Sequence, residues 1–198
     1  SSAANMDLGR TSDLVTDTMS ALGLEINDLD GYLDILAQTS RNSNTDVDQL
    51  GEAFLTVGGK LKSLGIEVED GAVALGLLAD NGIKGSEAGR GLNAILTNLT
   101  APTGRAKEAL DELNVSAFDS QGEFIGLEET LQLVADKTSG MTQEQQNMYM
   151  SMIAGKEHSK TFLNLMDGLG GGFDDLRSKV YGADGALNDM YDTATDNT

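Results

Sequence analysis

The chain has no cysteine, no tryptophan, one proline and one histidine in 198 residues. Without cysteine there is no disulfide scaffold, no thiolate zinc site and no thiol nucleophile. Positive charge is scarce: 13 Lys and Arg stand against 32 Asp and Glu, for a formal net charge of -19 at pH 7. Such a chain does not seek phosphate backbones, because release of counterions from nucleic acid needs clustered Lys and Arg. Long hydrophobic runs are missing too. The longest, residues 72–79, falls far short of the roughly 20 residues that a membrane span needs. With four Tyr and five Phe as its aromatics, the chain is poorly supplied for a sugar-binding cleft.

What is present argues for a folded protein. Hydrophobic residues make up 39% of the chain and recur with order, unlike those of a disordered acidic segment. The length allows one domain, or two small ones, with a real core. Residue 1 is Ser, and residues 1–5 show neither a basic n-region nor an apolar h-region. No signal peptide is expected, and the chain reads as a fragment or processed product of a larger protein.

Helical spacing dominates. Leu8, Val15, Met19 and Leu22 share one face, and Ile26, Leu29, Leu33 and Leu36 follow at steps of three and four. Val47, Leu50, Phe54, Val57, Leu61 and Leu64 keep heptad spacing, interrupted by Gly58-Gly59, which predicts a kink or a short break. Residues 72–79 are apolar all round and read as a central buried helix. Ala88, Leu92, Ile95, Leu96 and Leu99 form an amphipathic stretch that ends near Pro102. Further helices are expected over 106–113, 127–134, 148–153, 162–166 and 187–191. Thr142 followed by Gln145 fits a capping box, and Gly65, Gly82 and Gly140 sit where helices should end. Near 115–126, Val115, Phe118, Phe124 and Ile125 flank Asp119-Ser120-Gln121-Gly122, which predicts a small β-hairpin or a tight loop.

The sequence also repeats. A shift of 42 residues lays Leu22-Gly23-Leu24-Glu25-Ile26 on Leu64-Gly65-Ile66-Glu67-Val68, and Asp28, Leu33, Leu36, Ala37 and Leu50 on Asp70, Leu75, Leu78, Ala79 and Leu92. That makes eight identities over 29 positions in one register. A looser third copy runs through Leu127, Leu131, Val134 and Ala135. The expected fold class is all-α, with helical hairpins stacked through this repeat of about 42 residues. Residues 1–18 are expected to be a helical lead, 19–168 the core and 169–198 a helical tail.

Candidate chemistry is thin. His158, the lone histidine, has polar neighbours on both sides and no Cys or nucleophile-elbow Ser to serve. Glu67, Glu69 and Asp70 with Glu128 and Glu129 are the carboxylates that a glycosidase couple would draw on. Solvated helix faces and first-turn charges explain them better. Residues 42–48 alternate oxygen ligands like a calcium loop, but Val47 and Ala53 stand where an EF-hand needs Gly and Glu. Thr45 or Asn44 as a helix N-cap accounts for their polarity. Residues 81–86 have the flavour of a phosphate loop without its spacing. Met141, Met148, Met150 and Met152 form a stripe that reads as core filling ahead of a partner surface. No catalytic, cofactor-binding or metal residue is assigned, and no cofactor is expected.

One set of residues resembles a known family. It comprises Thr39-Ser40 through Leu50-Gly51, then Leu61, Leu64-Gly65-Ile66 and Val68-Glu69-Asp70. Ala74-Leu75-Gly76-Leu77-Leu78-Ala79-Asp80-Asn81-Gly82-Ile83-Lys84-Gly85-Ser86-Glu87-Ala88-Gly89 follows, then Leu96-Thr97-Asn98-Leu99 before Pro102. Leu113-Asn114-Val115 and Ile153-Ala154-Gly155-Lys156-Glu157 continue the pattern in order. Together they resemble the core region of phage tail tape measure proteins, over roughly residues 19–168. The block from Asn81 to Gly89 carries most of the specificity. The resemblance implies a helix-rich structural protein of the virion tail, made in the host cytoplasm, that sets tail length and scaffolds tube assembly. It implies the tail tube protein, tail tip proteins and tail assembly chaperones as partners, with self-association, and neither nucleic acid nor membrane for this segment. It carries over no catalytic residue, so the chain is read as not an enzyme. Composition alone leaves two other classes: a helical-repeat module that binds a partner through an apolar groove, and a virion-borne cell-wall hydrolase.

Overall fold

The computed structural model describes residues 2–182, with the side chains of residues 2–8 left aside. The expected helix over 187–191 and the face position of Leu8 lie outside what is described. Among the described residues, ten α-helices follow one another: α1 (Ser2–Leu22), α2 (Leu29–Asn42), α3 (Val47–Leu64), α4 (Val68–Asp80), α5 (Gly85–Thr100), α6 (Gly104–Leu113), α7 (Leu127–Thr138), α8 (Gln143–Ala154), α9 (Ser159–Asp167) and α10 (Gly172–Val180). Short 3-10 turns lie at Ile26–Asp28 and Gly168–Gly170. The described residues contain no strand, which agrees with the all-α expectation.

Four helix ends share one device. Gly23, Gly65, Gly82 and Asn114 take left-handed backbone angles, with φ of 71°, 68°, 83° and 54°. After each, an amide reaches back to an orphan carbonyl: Leu24 to Met19, Ile66 to Leu61, Ile83 to Leu78 and Val115 to Leu110, all within 2.8–2.9 Å. These are Schellman closures, and the residue after each left-handed position is apolar, so the turned chain is pulled back onto the core. Gly65 and Gly82 therefore behave as their sequence position predicts. Gly140 also sits just past a helix end, two residues after Thr138, but without the left-handed turn, since it has no positive φ. The Thr142–Gln145 capping box is present, with the Gln145 amide donating to Thr142 Oγ1 at 3.2 Å. The cap of α3 is Asp46 rather than Thr45 or Asn44: its carboxylate accepts the Gln49 amide at 2.8 Å.

The core is built around α3, which packs α1 on one side and α5 on the other. Leu50, Phe54, Val57 and Leu61 of its heptad stripe are buried. Each such side chain contributes about 1.5–3 kcal/mol by leaving water. The Gly58-Gly59 pair does not break α3, which is continuous from Val47 to Leu64. A Cβ at Gly58 would lie 3.1 Å from Ala21 Cβ and 3.3 Å from the Ala21 carbonyl carbon, so this glycine marks the crossing of α1 over α3. At the opposite crossing, a Cβ at Gly89 would lie 2.5 Å from the Ala53 carbonyl oxygen. Helix α4 is buried nearly all round, as its composition predicts, and packs against α2, α10, α5 and α9. Residues 115–126 resolve the open choice towards a tight loop, with a single antiparallel bridge between Phe118 and Phe124. Asp119 Oδ1 gathers the amides of Gln121 and Glu123 at 2.9 and 3.0 Å, and the two Phe rings meet edge-on at 6.3 Å.

One buried polar link ties the first three helices together. Tyr32 of α2 donates from its hydroxyl to Thr18 Oγ1 of α1 at 2.7 Å, and Thr18 donates on to the Val15 carbonyl at 3.0 Å. The Tyr32 ring stands edge-on to Phe54 of α3 with centroids 6.1 Å apart. Burial pushes the Tyr32 hydroxyl up to about 12, against a smaller lowering by the Thr18 hydrogen bond.

The two glycines predict opposite effects of the same substitution. Gly89→Ala is expected to destabilise by about 1–3 kcal/mol in urea unfolding, because the new methyl meets backbone. Gly59→Ala, in the same kind of helix but with nothing within 4 Å, is expected to stabilise by up to about 1 kcal/mol. The raised Tyr32 value favours the folded state fully below the unfolded value of about 10, and the gain is lost as pH rises through about 12. Unfolding midpoints between pH 9 and 12 are expected to fall less steeply in Tyr32→Phe than in the native chain.

Candidate functional site

Two of the carboxylates singled out in the sequence converge, and a cation joins them. The end of α3, the first turn of α4, residues 124–129 and α10 wall a cavity of about 380 Å³. Asp70 lies in the first turn of α4 and Glu128 in the first turn of α7, where negative charge complements the helix dipole. Arg177, near the end of α10, reaches both. Its Nε donates to Asp70 Oδ1 at 3.4 Å, its Nη2 to Glu128 Oε2 at 2.5 Å and its Nη1 to Asp174 Oδ1 at 3.2 Å. Burial pulls the Arg177 guanidinium down, and the hydrogen bonds and charges of Glu128 and Asp70 outweigh it, so its affinity for its proton is raised. Tyr181, at the mouth of the cavity, is pushed up to about 12, first by burial and then by Asp70, Glu69 and Glu67.

This arrangement is a clasp between elements far apart in sequence. A glycosidase couple needs one carboxyl that holds a proton and a second that faces it across the substrate. Asp70 and Glu128 are both engaged by one guanidinium, which leaves neither carboxylate facing the other across an open cleft. Sequence reading missed Arg177 altogether, although Phe173, Leu176 and Val180 at steps of three and four mark α10 as amphipathic. All three side chains are buried.

The remaining candidates stand apart from the clasp. His158 is half-buried at the N-cap of α9, and its carbonyl accepts the Phe162 amide at 2.9 Å. Residues 42–48 form the α2–α3 turn, where Asn44 donates its amide to Asp80 Oδ1 at 2.7 Å. Among the described residues, no group of three or more His, Cys, Asp or Glu is placed to hold a metal ion. Residues 81–86 form the α4–α5 turn, with Ile83 buried beneath it and Gly85 opening α5 at φ 59°. The block from Asn81 to Gly89 thus encodes a tight reversal followed by a close helix crossing. The methionines divide: Met150 and Met152 are buried, Met141 packs partly against the core, and Met148 is 44% exposed.

A second concavity was not singled out in the sequence. It is a groove of about 560 Å³ between α1 and α2, floored by Val15, Met19, Leu24, Ile26, Leu29 and Leu33. Ile26 is 77% exposed, the most open large apolar side chain described. The face that periodicity assigns to the core therefore stands partly open here. No described helix is long and apolar enough to cross a membrane.

Comparison with known proteins fits this helical, site-poor architecture. The sequence pattern of the family described as "Phage-related minor tail protein" matches residues 1–155. The chain therefore belongs to that family of phage tail proteins. It is 30% identical over 191 residues to the "Tape measure protein" of Pneumococcus phage Dp-1, covering 96% of this chain and 17% of that protein. It is 32% identical over 169 residues to the "Probable tape measure protein" of Escherichia phage P2, covering 83% of this chain and 20% of that one. The chain thus spans a fifth or less of the length of these curated relatives. No solved structure matches.

The clasp predicts a measurable coupling. In a double-mutant cycle of Arg177→Gln and Glu128→Gln, read by urea unfolding, the pair is expected to couple by about 1 kcal/mol. Additive single effects would show that α10 is held by its apolar face alone.

Proposed function

We propose that this chain is a folded segment of a tape measure protein, a structural and assembly protein of a phage tail. The parent protein sets tail length and scaffolds the tail tube, working with tail tube protein, tail tip proteins and tail assembly chaperones. Its place is the virion tail, reached from the host cytoplasm. The observation that carries this reading is the likeness over 96% of the chain to a protein named for that role. The segment acts by packing and docking, without catalysis, in keeping with the family name and with the engagement of Asp70 and Glu128 in ion pairs.

The geometry favours an assembly role for the segment itself. A single helix of this length would reach about 300 Å at 1.5 Å per residue. The longest described helix, α1 with 21 residues, reaches about 31 Å, and the chain turns back repeatedly on itself. In this state the segment contributes a diameter to the tail rather than a contour length. A second reading, a helical binding module with no ruler role, is favoured by the open groove between α1 and α2.

Tail length tests the proposal. A phage whose tape measure protein carries this sequence is given an in-frame deletion of residues 19–168, and its tails are measured by negative-stain microscopy. A folded assembly domain is expected to give either no tails or tails shortened by no more than about 30 Å. Shortening by about 225 Å would show a segment extended as ruler and overturn the assembly role.

A further inference from the structure

The groove between α1 and α2 has a chemistry that selects its occupant. Its floor comes from two helices with matching spacing: Val15 and Met19 are four apart on α1, and Leu29 and Leu33 are four apart on α2. Leu24 and Ile26 join the lining from the connecting turn. Two apolar rows of this kind, one from each helix, wall a trough that can take the apolar ridge of a third helix. Its polar edge on α1 is neutral, made of Thr11, Ser12, Thr16 and Ser20.

Acidic side chains dominate the charge around the trough. Residues 11–40 contain six acids (Asp13, Asp17, Glu25, Asp28, Asp30 and Asp34) and no Lys or Arg. Asp13 and Asp17 sit beside the lining residues Ser12 and Thr16, and Glu25, Asp28 and Asp30 alternate with Ile26 and Leu29. These five are exposed. The cations nearby are Arg10, paired with Glu52 Oε1 at 3.3 Å, and Lys62, whose side chain runs past Gly23. An apolar floor under an acidic rim attracts a helix that is apolar on one face and basic on its flanks, and repels an acidic one.

That sign separates the occupants. A second copy of this chain carries a net charge of -19. The chain's own residues 183–198 hold Leu187, Met190 and Tyr191 at helical steps, but with four Asp and no Lys or Arg. Both would bring like charge to the rim. We infer that the α1–α2 groove is a docking site for a basic amphipathic helix of a partner protein. The inference does not depend on whether the segment contributes to tail length, so the two can fail separately.

The test uses the 198-residue chain and four synthetic helical peptides of about four turns. One has Leu at i, i+3, i+4 and i+7 with Lys on its flanks. The second is its composition-matched scramble, the third replaces Lys with Glu, and the fourth replaces Lys with Gln. Binding is read by fluorescence anisotropy at 0.15 M salt, and its location by methyl NMR of Ile26, Leu24 and Met19. The patterned basic peptide is expected to bind, to move these methyl signals, and to weaken about tenfold in Ile26→Asp and severalfold in Asp13→Lys/Asp17→Lys. Ile26 is exposed, so its variant is expected to keep the native unfolding midpoint. Equal binding of the scramble, or no loss in Ile26→Asp, would reduce the effect to bulk charge and overturn the inference. Equal or tighter binding of the Glu or Gln peptide would overturn the basic partner. Binding that appears only after removal of residues 183–198 would assign the groove to the chain's own segment. A dimer in sedimentation that Ile26→Asp dissolves would assign it to a second copy.

Discussion

Everything in this fold depends on how closely two helices can approach α3. At Gly89 the α5 backbone lies so near Ala53 that a methyl group would strike a carbonyl oxygen, and at Gly58 the α1 backbone leans on the same helix from the other side. Close crossing brings the flanking rows of Leu, Ile and Val into interdigitation and fixes their layers. With α3 gripped on both sides, α4 can sit beneath as a helix with almost no exposed face. The turns that connect α1 to α2, α3 to α4 and α4 to α5 need only three to six residues, because left-handed caps reverse the chain at once.

The clasp at Arg177 and the link at Tyr32 are secondary to that layering and do different work. Tyr32 is buried, satisfied by one hydroxyl, and ties α1 to α2 beside the α3 core. Arg177 is half-exposed and joins α10 to α4 and α7, elements that lie 107 and 49 residues away in sequence. A partly solvated ion network of this kind aligns elements more than it stabilises them. The carboxylates at the cavity wall serve the joint.

Much of the architecture could be read from the residues alone, because it rests on local rules. Periodicity placed α3 and α5, all-round apolarity placed α4, and Gly65, Gly82 and the Thr142–Gln145 pair marked helix ends. The failures have a common cause in contacts that are distant in sequence. Gly58-Gly59 looks like a breaker when only propensity is weighed, but at Gly58 α1 occupies the space a side chain would fill. Gly140 has the right residue type, but α7 ends without a left-handed turn. Asp46 takes the cap from Thr45 and Asn44 because the Asn44 amide is turned towards Asp80, contributed by another helix. The groove was hidden by its own apolarity: a stripe looks the same in sequence whether a neighbouring helix covers it or leaves it open.

The absence of any strand among the described residues has a mechanical side. In sheet proteins, tension along the chain is borne by ladders of backbone hydrogen bonds that must break together. Among the described residues, backbone hydrogen bonds lie within helices, their caps and short turns, apart from the bridged loop at 115–126, and neighbouring helices hold each other mainly through side chains. A pull on the chain would therefore draw out one helix at a time, each step yielding at low force and leaving the remainder packed. A fold of this construction is soft against threading, and it can be taken through a narrow passage end first without a concerted rupture.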